Sequence, residues 1–150
     1  MTSILALAVA ATAPVPDSWL DAVEQIESSG RGSATPDGDG GKARGPFQWW
    51  SVAWADCSKV RKAQGLPVYP YSKARDPKAS REYARTWLTH LRDRLTKEIG
   101  RPASAAETWL AYNMGFEGFR RHDFQWALVP SAKFDKALKV AQMSGKIRDK

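Results

Sequence analysis

Glu27 stands at the C-terminal end of a helical stripe made by Trp19, Leu20, Val23 and Ile26, on the side it shares with Leu20 and Val23. A carboxylate on an apolar side faces the interior or a cleft, where loss of water favours its neutral form. The negative end of the helix dipole acts in the same direction. A carboxyl kept protonated near neutral pH is suited to protonating a leaving oxygen as a general acid. Spacing alone also admits an exposed or ion-paired glutamate at a helix end, and by frequency favours it.

Three further segments carry polar groups at positions of interest. Asp37-Gly38-Asp39-Gly40-Gly41 offers two carboxylates, either of which could act as a base or electrostatic partner across a cleft from Glu27. Pro-Asp-Gly is equally a turn composition. A calcium loop fits poorly, because Gly41 and Gln48 fall where ligands belong. Gln48 lies among aromatics in Gly45-Pro46-Phe47-Gln48-Trp49-Trp50, a setting for stacking and hydrogen bonding to a sugar or planar ligand, or for core packing at a helix start. Ala111-Tyr112-Asn113-Met114-Gly115 brings a phenol and an amide to a helix end, where they either reach a ligand or cap the last turn.

The elements that must position these groups are helical. The first helix takes Asp17 or Ser18 as N-cap and stops at Gly30. Residues 30–45 hold six of the eleven glycines, which predicts a loop or small hairpin. Trp50, Ala53, Trp54, Cys57 and Val60 mark a second stripe, closed by Gly65 and Pro67. Asp76-Pro77 opens a third helix with the stripe Tyr83, Trp87, Leu88, Leu91 and Leu95, ending at Gly100. Ser104 to Glu107 reads as a capping box before Trp109-Leu110. A last helix uses Phe134, Ala137, Leu138 and Ala141. No alternating strand emerges, so the predicted fold is mostly α: an N-terminal apolar segment over 1–16, one domain over 17–143 and a polar tail over 144–150.

At 150 residues and 16.6 kDa, with 43% hydrophobic and 26% charged residues, the chain fits one globular domain and excludes wholesale disorder and a bundle of membrane helices. The single Cys57 excludes an intrachain disulfide and a multi-cysteine zinc site, and its mid-stripe position reads as a small hydrophobe rather than the nucleophile of a Cys-His peptidase. His90 and His122 have no second ligand nearby that would suggest a metal, and His90, flanking Leu91, could be a surface residue. Net charge is +7 and unevenly spread: residues 1–60 carry −3 and residues 61–150 carry +10. That asymmetry suggests a polyanionic partner, whether nucleic acid, anionic lipid or a bacterial envelope. No nucleic-acid-binding signature accompanies the charge. Ile4 to Ala13 is an apolar run too short to span a bilayer; it reads as an arm on the domain or as an export signal with an Ala11-Thr12-Ala13 cleavage pattern.

Taken together, Glu27-Ser28-Ser29-Gly30, Gly45-Pro46-Phe47-Gln48 and Ala111-Tyr112-Asn113-Met114-Gly115 resemble, in order, the three signature segments of soluble lytic transglycosylases in the lysozyme-like superfamily. Asp76-Pro77 to Leu91 resembles the long helix before the third segment. Gly45 to Cys57 is also similar to a stretch of invertebrate-type lysozymes. The resemblance spans roughly residues 19–121. It implies a lysozyme-like domain that cleaves the β-1,4 bond between N-acetylmuramic acid and N-acetylglucosamine in peptidoglycan, without a cofactor. By motif position, Glu27 is the implied catalytic acid, Gln48 a cleft residue, and Tyr112 and Asn113 the groups that orient substrate. Asp39, or Asp37, lies near the second acid of invertebrate-type lysozymes, which leaves hydrolysis and transglycosylation both open. Met114 departs from the family pattern, which has a small residue there. Absence of the animal cysteine framework points to a bacterial or phage origin, with action at the cell wall, in the periplasm or from a virion. The alternative is an inactive lysozyme-like component that anchors a phage particle or secretion assembly to the wall.

Overall fold

The computed structural model describes residues 12–145. Among them the chain forms six α-helices: α1 (Asp17–Ser28), α2 (Ser51–Ala63), α3 (Pro77–Ile99), α4 (Ala105–Met114), α5 (Phe116–Arg120) and α6 (Ser131–Ser144), with short 3-10 turns between them. The mostly α class read from the sequence is the class the chain adopts. The apolar residues up to Ala11 and residues 146–150 lie outside the described part, and with them most of the export-signal and tail expectations. Among the described residues no helix is long and apolar enough to cross a membrane.

α4 is the hub. Ala105 through Ala111 are all buried, and α3, α5 and α6 pack around it. A helix wrapped on every side tolerates a charge only where its partners are supplied. Glu107, the third residue of the capping box, has them: its carboxylate accepts from the Ser104 amide at 2.9 Å and from the Arg101 guanidinium at 2.9 and 2.7 Å. Burial pushes the Glu107 pKa up, but Arg101 and Ser104 together outweigh it and the net shift is downward.

α3 begins and ends where its sequence says. Asp76 Oδ2 accepts from the Ala79 amide at 2.9 Å, Pro77 occupies the first helical position, and Gly100 closes the helix in the left-handed region at φ +74°. Tyr83, Leu88, Leu91 and Leu95 are buried, while Trp87 is only partly so. Residues 12–16 run along α3, with buried Val15 donating its amide to Thr89 Oγ1 at 3.0 Å.

Three local expectations are corrected. The N-cap of α1 is Pro16, without a side-chain bond; the Asp17 carboxylate turns instead to Arg85 at 2.5 Å. The same helix ends at Ser28, because the left-handed turn begins at Ser29, φ +56°, one residue before Gly30 at φ +72°. In α6 the buried residues are Ala137 and Val140, whereas Phe134 and Leu138 are 36% and 40% exposed.

The glycine-rich segment between α1 and α2 makes no strand among the described residues. It folds back through two isolated antiparallel bridges, Gly38 with Ala43 and Arg44 with Trp49. Gly45 is required in the second turn: its φ is +73° and a Cβ there would sit 1.8 Å from the Ala74 carbonyl oxygen.

Candidate active site

Glu27 sits in the last turn of α1 and opens into a cleft of about 520 Å³ lined also by Ile26, Asp39, Gln48, Trp50, Tyr112, Asn113, Lys133 and Lys136. The four candidate segments, separated by up to 86 residues of chain, thus converge on one concavity. The Trp109 indole N–H donates to Glu27 Oε1 at 2.9 Å and fixes the carboxyl against the buried hub. Glu27 is partly exposed at the cleft mouth but deeply surrounded by protein. Burial raises its pKa; the Trp109 bond, the Lys136 charge, the Asn113 amide and the Lys133 charge oppose that, and burial prevails. The outcome is a carboxyl biased toward its protonated form, with an opening to solvent.

Tyr112 and Asn113 follow Trp109 by three and four residues, so all three share one side of α4. The Tyr112 hydroxyl donates to the Phe47 carbonyl at 2.6 Å and its ring meets Trp49 edge-on, centroids 5.6 Å apart. Burial, then the nearby Glu27 charge, hold the Tyr112 pKa well above that of a free phenol, so it remains a neutral donor. Asn113 does not cap α4, whose C-cap is Gly115; its Oδ1 accepts from Lys133 Nζ of α6.

Gln48 adopts φ +50° within the Gly45–Gln48 turn, whose Gln48 amide donates to the Gly45 carbonyl at 2.9 Å. Its side-chain amide donates to the Gly45 and Pro36 carbonyls at 3.0 and 3.3 Å. Gln48 therefore lines the cleft while tying the two halves of the glycine-rich segment together. Gly38 makes room for it, since a Cβ there would lie 2.2 Å from Gln48 Oε1.

The two loop aspartates separate in role. Asp37 is held by Arg75 at 2.6 and 3.2 Å, and that hydrogen-bonded ion pair lowers its pKa. Asp39 is exposed at φ +50°, lines the Glu27 cleft and accepts from the Trp50 indole N–H at 3.3 Å. Trp50 is the N-cap of α2 and 44% exposed, so the reading of it as part of the buried stripe is corrected: it forms cleft wall.

Cys57 is fully buried, donates its thiol to the Tyr83 carbonyl at 3.4 Å and has a pKa pushed up to about 12 by burial, which removes any nucleophilic role. His90 is half-buried rather than at the surface, stacked on Trp87 with centroids 5.1 Å apart. Among the described residues no three His, Cys, Asp or Glu side chains gather as metal ligands would.

Sequence reasoning passed over Trp109, Lys133 and Lys136. The first was findable, because positions 109, 112 and 113 share a helix side. The lysines were not, since nothing in their spacing says that α6 packs against α1 and α4. No protein-family model matches the chain, and neither curated proteins nor solved structures give a match.

Proposed function

We propose that the chain is a lysozyme-like glycosidase that cleaves the β-1,4 bond between N-acetylmuramic acid and N-acetylglucosamine of peptidoglycan, with Glu27 as acid and then base. The observation that carries this reading is the meeting of Glu27 with Gln48, Tyr112 and Asn113 in one 520 Å³ cleft whose carboxyl is biased toward protonation. In the first step the Glu27 proton passes to the bridging oxygen and the bond from that oxygen to the muramyl C1 breaks. The Glu27 carboxylate then takes the proton of the muramyl C6 hydroxyl as that oxygen bonds to C1. An anhydro ring results, Glu27 is again protonated, and no water is consumed.

Tyr112, Asn113 and the exposed Trp50 face supply hydrogen bonds and stacking for the sugars. The basic excess of residues 61–150 suits adsorption to an anionic wall, as a virion component or an exported enzyme. One observation favours a second reading. Asp39 lines the Glu27 cleft, free of the arginine that holds Asp37, and in this reading would activate a water for hydrolysis.

Mass spectrometry of digested sacculi tests both. Anhydro ends from the wild type and from Asp39→Asn support transglycosylation. Reducing ends, lost in Asp39→Asn, support hydrolysis. Sedimentation with sacculi and no released muropeptides would instead favour an inactive wall-binding shell.

A further inference from the structure

The sequence of α6 puts Lys133, Lys136 and Lys139 three residues apart, so successive stems rise by about 4.5 Å along the axis and rotate by about 60°. Lys133 and Lys136 line the Glu27 cleft. Lys136 and Lys139 line a neighbouring recess of about 760 Å³ with Gln25, Ile26 and Gln142. Ile26 and Lys136 belong to both walls, so the two concavities adjoin along the seam of α1 and α6. Among the described residues none of these ammoniums has an ion-pair partner. Like charges three residues apart repel and weaken a helix, so a row of them along a groove matches an anion that offsets the repulsion on binding.

The other side of the cleft has a different character. A recess of about 560 Å³ continues through Gln48, Trp50, Tyr112 and Asn113, walled by Val52 and Trp87. Its arginines, Arg94 and Arg121, share it with the acids Asp56 and Glu117. Charge around the Glu27 cleft is therefore uneven: the adjoining recess that shares Gln48, Trp50, Tyr112 and Asn113 is charge-balanced, and the one that shares Ile26 and Lys136 carries only lysines as charged groups.

We infer that the α6 lysine row is the receiving site for carboxylates carried by the substrate strand, so that the protein selects acidic, muramyl-containing glycans over neutral β-1,4 glycans. The inference rests on the glycan reading above. The carboxylates have two alternative sources: the lactyl group of a muramyl sugar that bears no stem, and the stem peptide's own carboxyls where the stem ties up the lactyl group as an amide. Lys133 and Lys136 also hold the Glu27 pKa down against burial. A substrate carboxylate seated on them neutralises that effect, and so reinforces the proton on Glu27 as the strand docks.

The test measures binding by Glu27→Gln protein, so that strands are not consumed, with and without Lys136→Gln/Lys139→Gln. The ligands are stem-bearing strands, peptide-free strands that keep the lactyl carboxylate, and the same strands with carboxyls converted to amides. The expected result is an increase in Kd of about tenfold for carboxylate-bearing strands and no change for amidated ones. Loss on stem-bearing strands alone identifies the stem peptide's carboxylates as the source; loss on peptide-free strands alone identifies the lactyl carboxylate; loss on both kinds shows that the row takes either. Lys139→Gln alone, outside the Glu27 cleft, gives part of the effect. Unchanged affinity, equal loss on amidated strands, or equal competition by duplex DNA overturns the inference. Failure of the glycan reading looks different: protein with all its lysines binds no strand, and the wild type releases no muropeptides.

Discussion

The proton on Glu27 is set by burial and by groups from two elements: Trp109 and Asn113 of α4, and Lys133 and Lys136 of α6. Because burial raises its pKa, the folded protein holds a proton there over a window that begins at the ordinary carboxylate range, where the unfolded chain has released it. The folded state binds more protons, so this group's contribution to stability falls as pH rises through that window and levels off above the raised pKa. Glu27→Gln removes the effect. Thermal unfolding across a pH series is expected to show the variant gaining in Tm over the wild type with rising pH, then holding a constant lead. Activity follows the same group, falling on the alkaline side as Glu27 ionises, and Glu27→Gln is expected to lower turnover by about 10²–10⁴-fold or more with unchanged circular dichroism. Tyr112→Phe strips the Phe47 carbonyl of its 2.6 Å donor and is expected to cost about 1–2 kcal/mol in denaturant unfolding.

Among the elements, the turn that carries Gln48 depends most on a single residue. Gly45→Ala demands both a strained φ and a Cβ inside the Ala74 carbonyl, and is expected to destabilise by about 2–4 kcal/mol in urea titration. Since Phe47 and Gln48 sit in that turn, activity falls with it. Elsewhere legibility followed local chemistry. The start of α3 and the capping box of α4 were readable because their caps are closed by residues three apart in sequence. The inner side of α6 was legible only at Ala137: Phe134 and Leu138 continue its period as well as Val140 does, and only the close approach of α1 and α4 selects the smaller residues. Trp50 was misassigned for a related reason. An aromatic at a helix start continues the apolar spacing, but as N-cap its backbone is extended, at ψ 149°, and its ring leaves the stripe. The candidate site was legible as motifs, whereas its convergence, and the division of Asp37 to Arg75 and Asp39 to the cleft, depend on tertiary folding.

At the scale of the molecule, the uneven charge acquires a location. The lysines of α6 face the groove over α1, the element that bears Glu27, so part of the basic excess of the C-terminal residues is directed at the site. Adsorption to purified sacculi is accordingly expected to weaken as salt is raised from low to physiological strength, in a sedimentation assay with the Glu27→Gln protein. The buried hub offers a reason for the precision of the site: α4 supplies Trp109, Tyr112 and Asn113 from a helix whose Ala105 to Ala111 are packed on all sides. The most direct measurement is the mass spectrum of the soluble fraction after purified sacculi are incubated with wild type or with Glu27→Gln. Muropeptides with cleaved muramyl–glucosaminyl bonds from the wild type, and none from the folded variant, are the predicted result; equal release by both, or by neither, would contradict it.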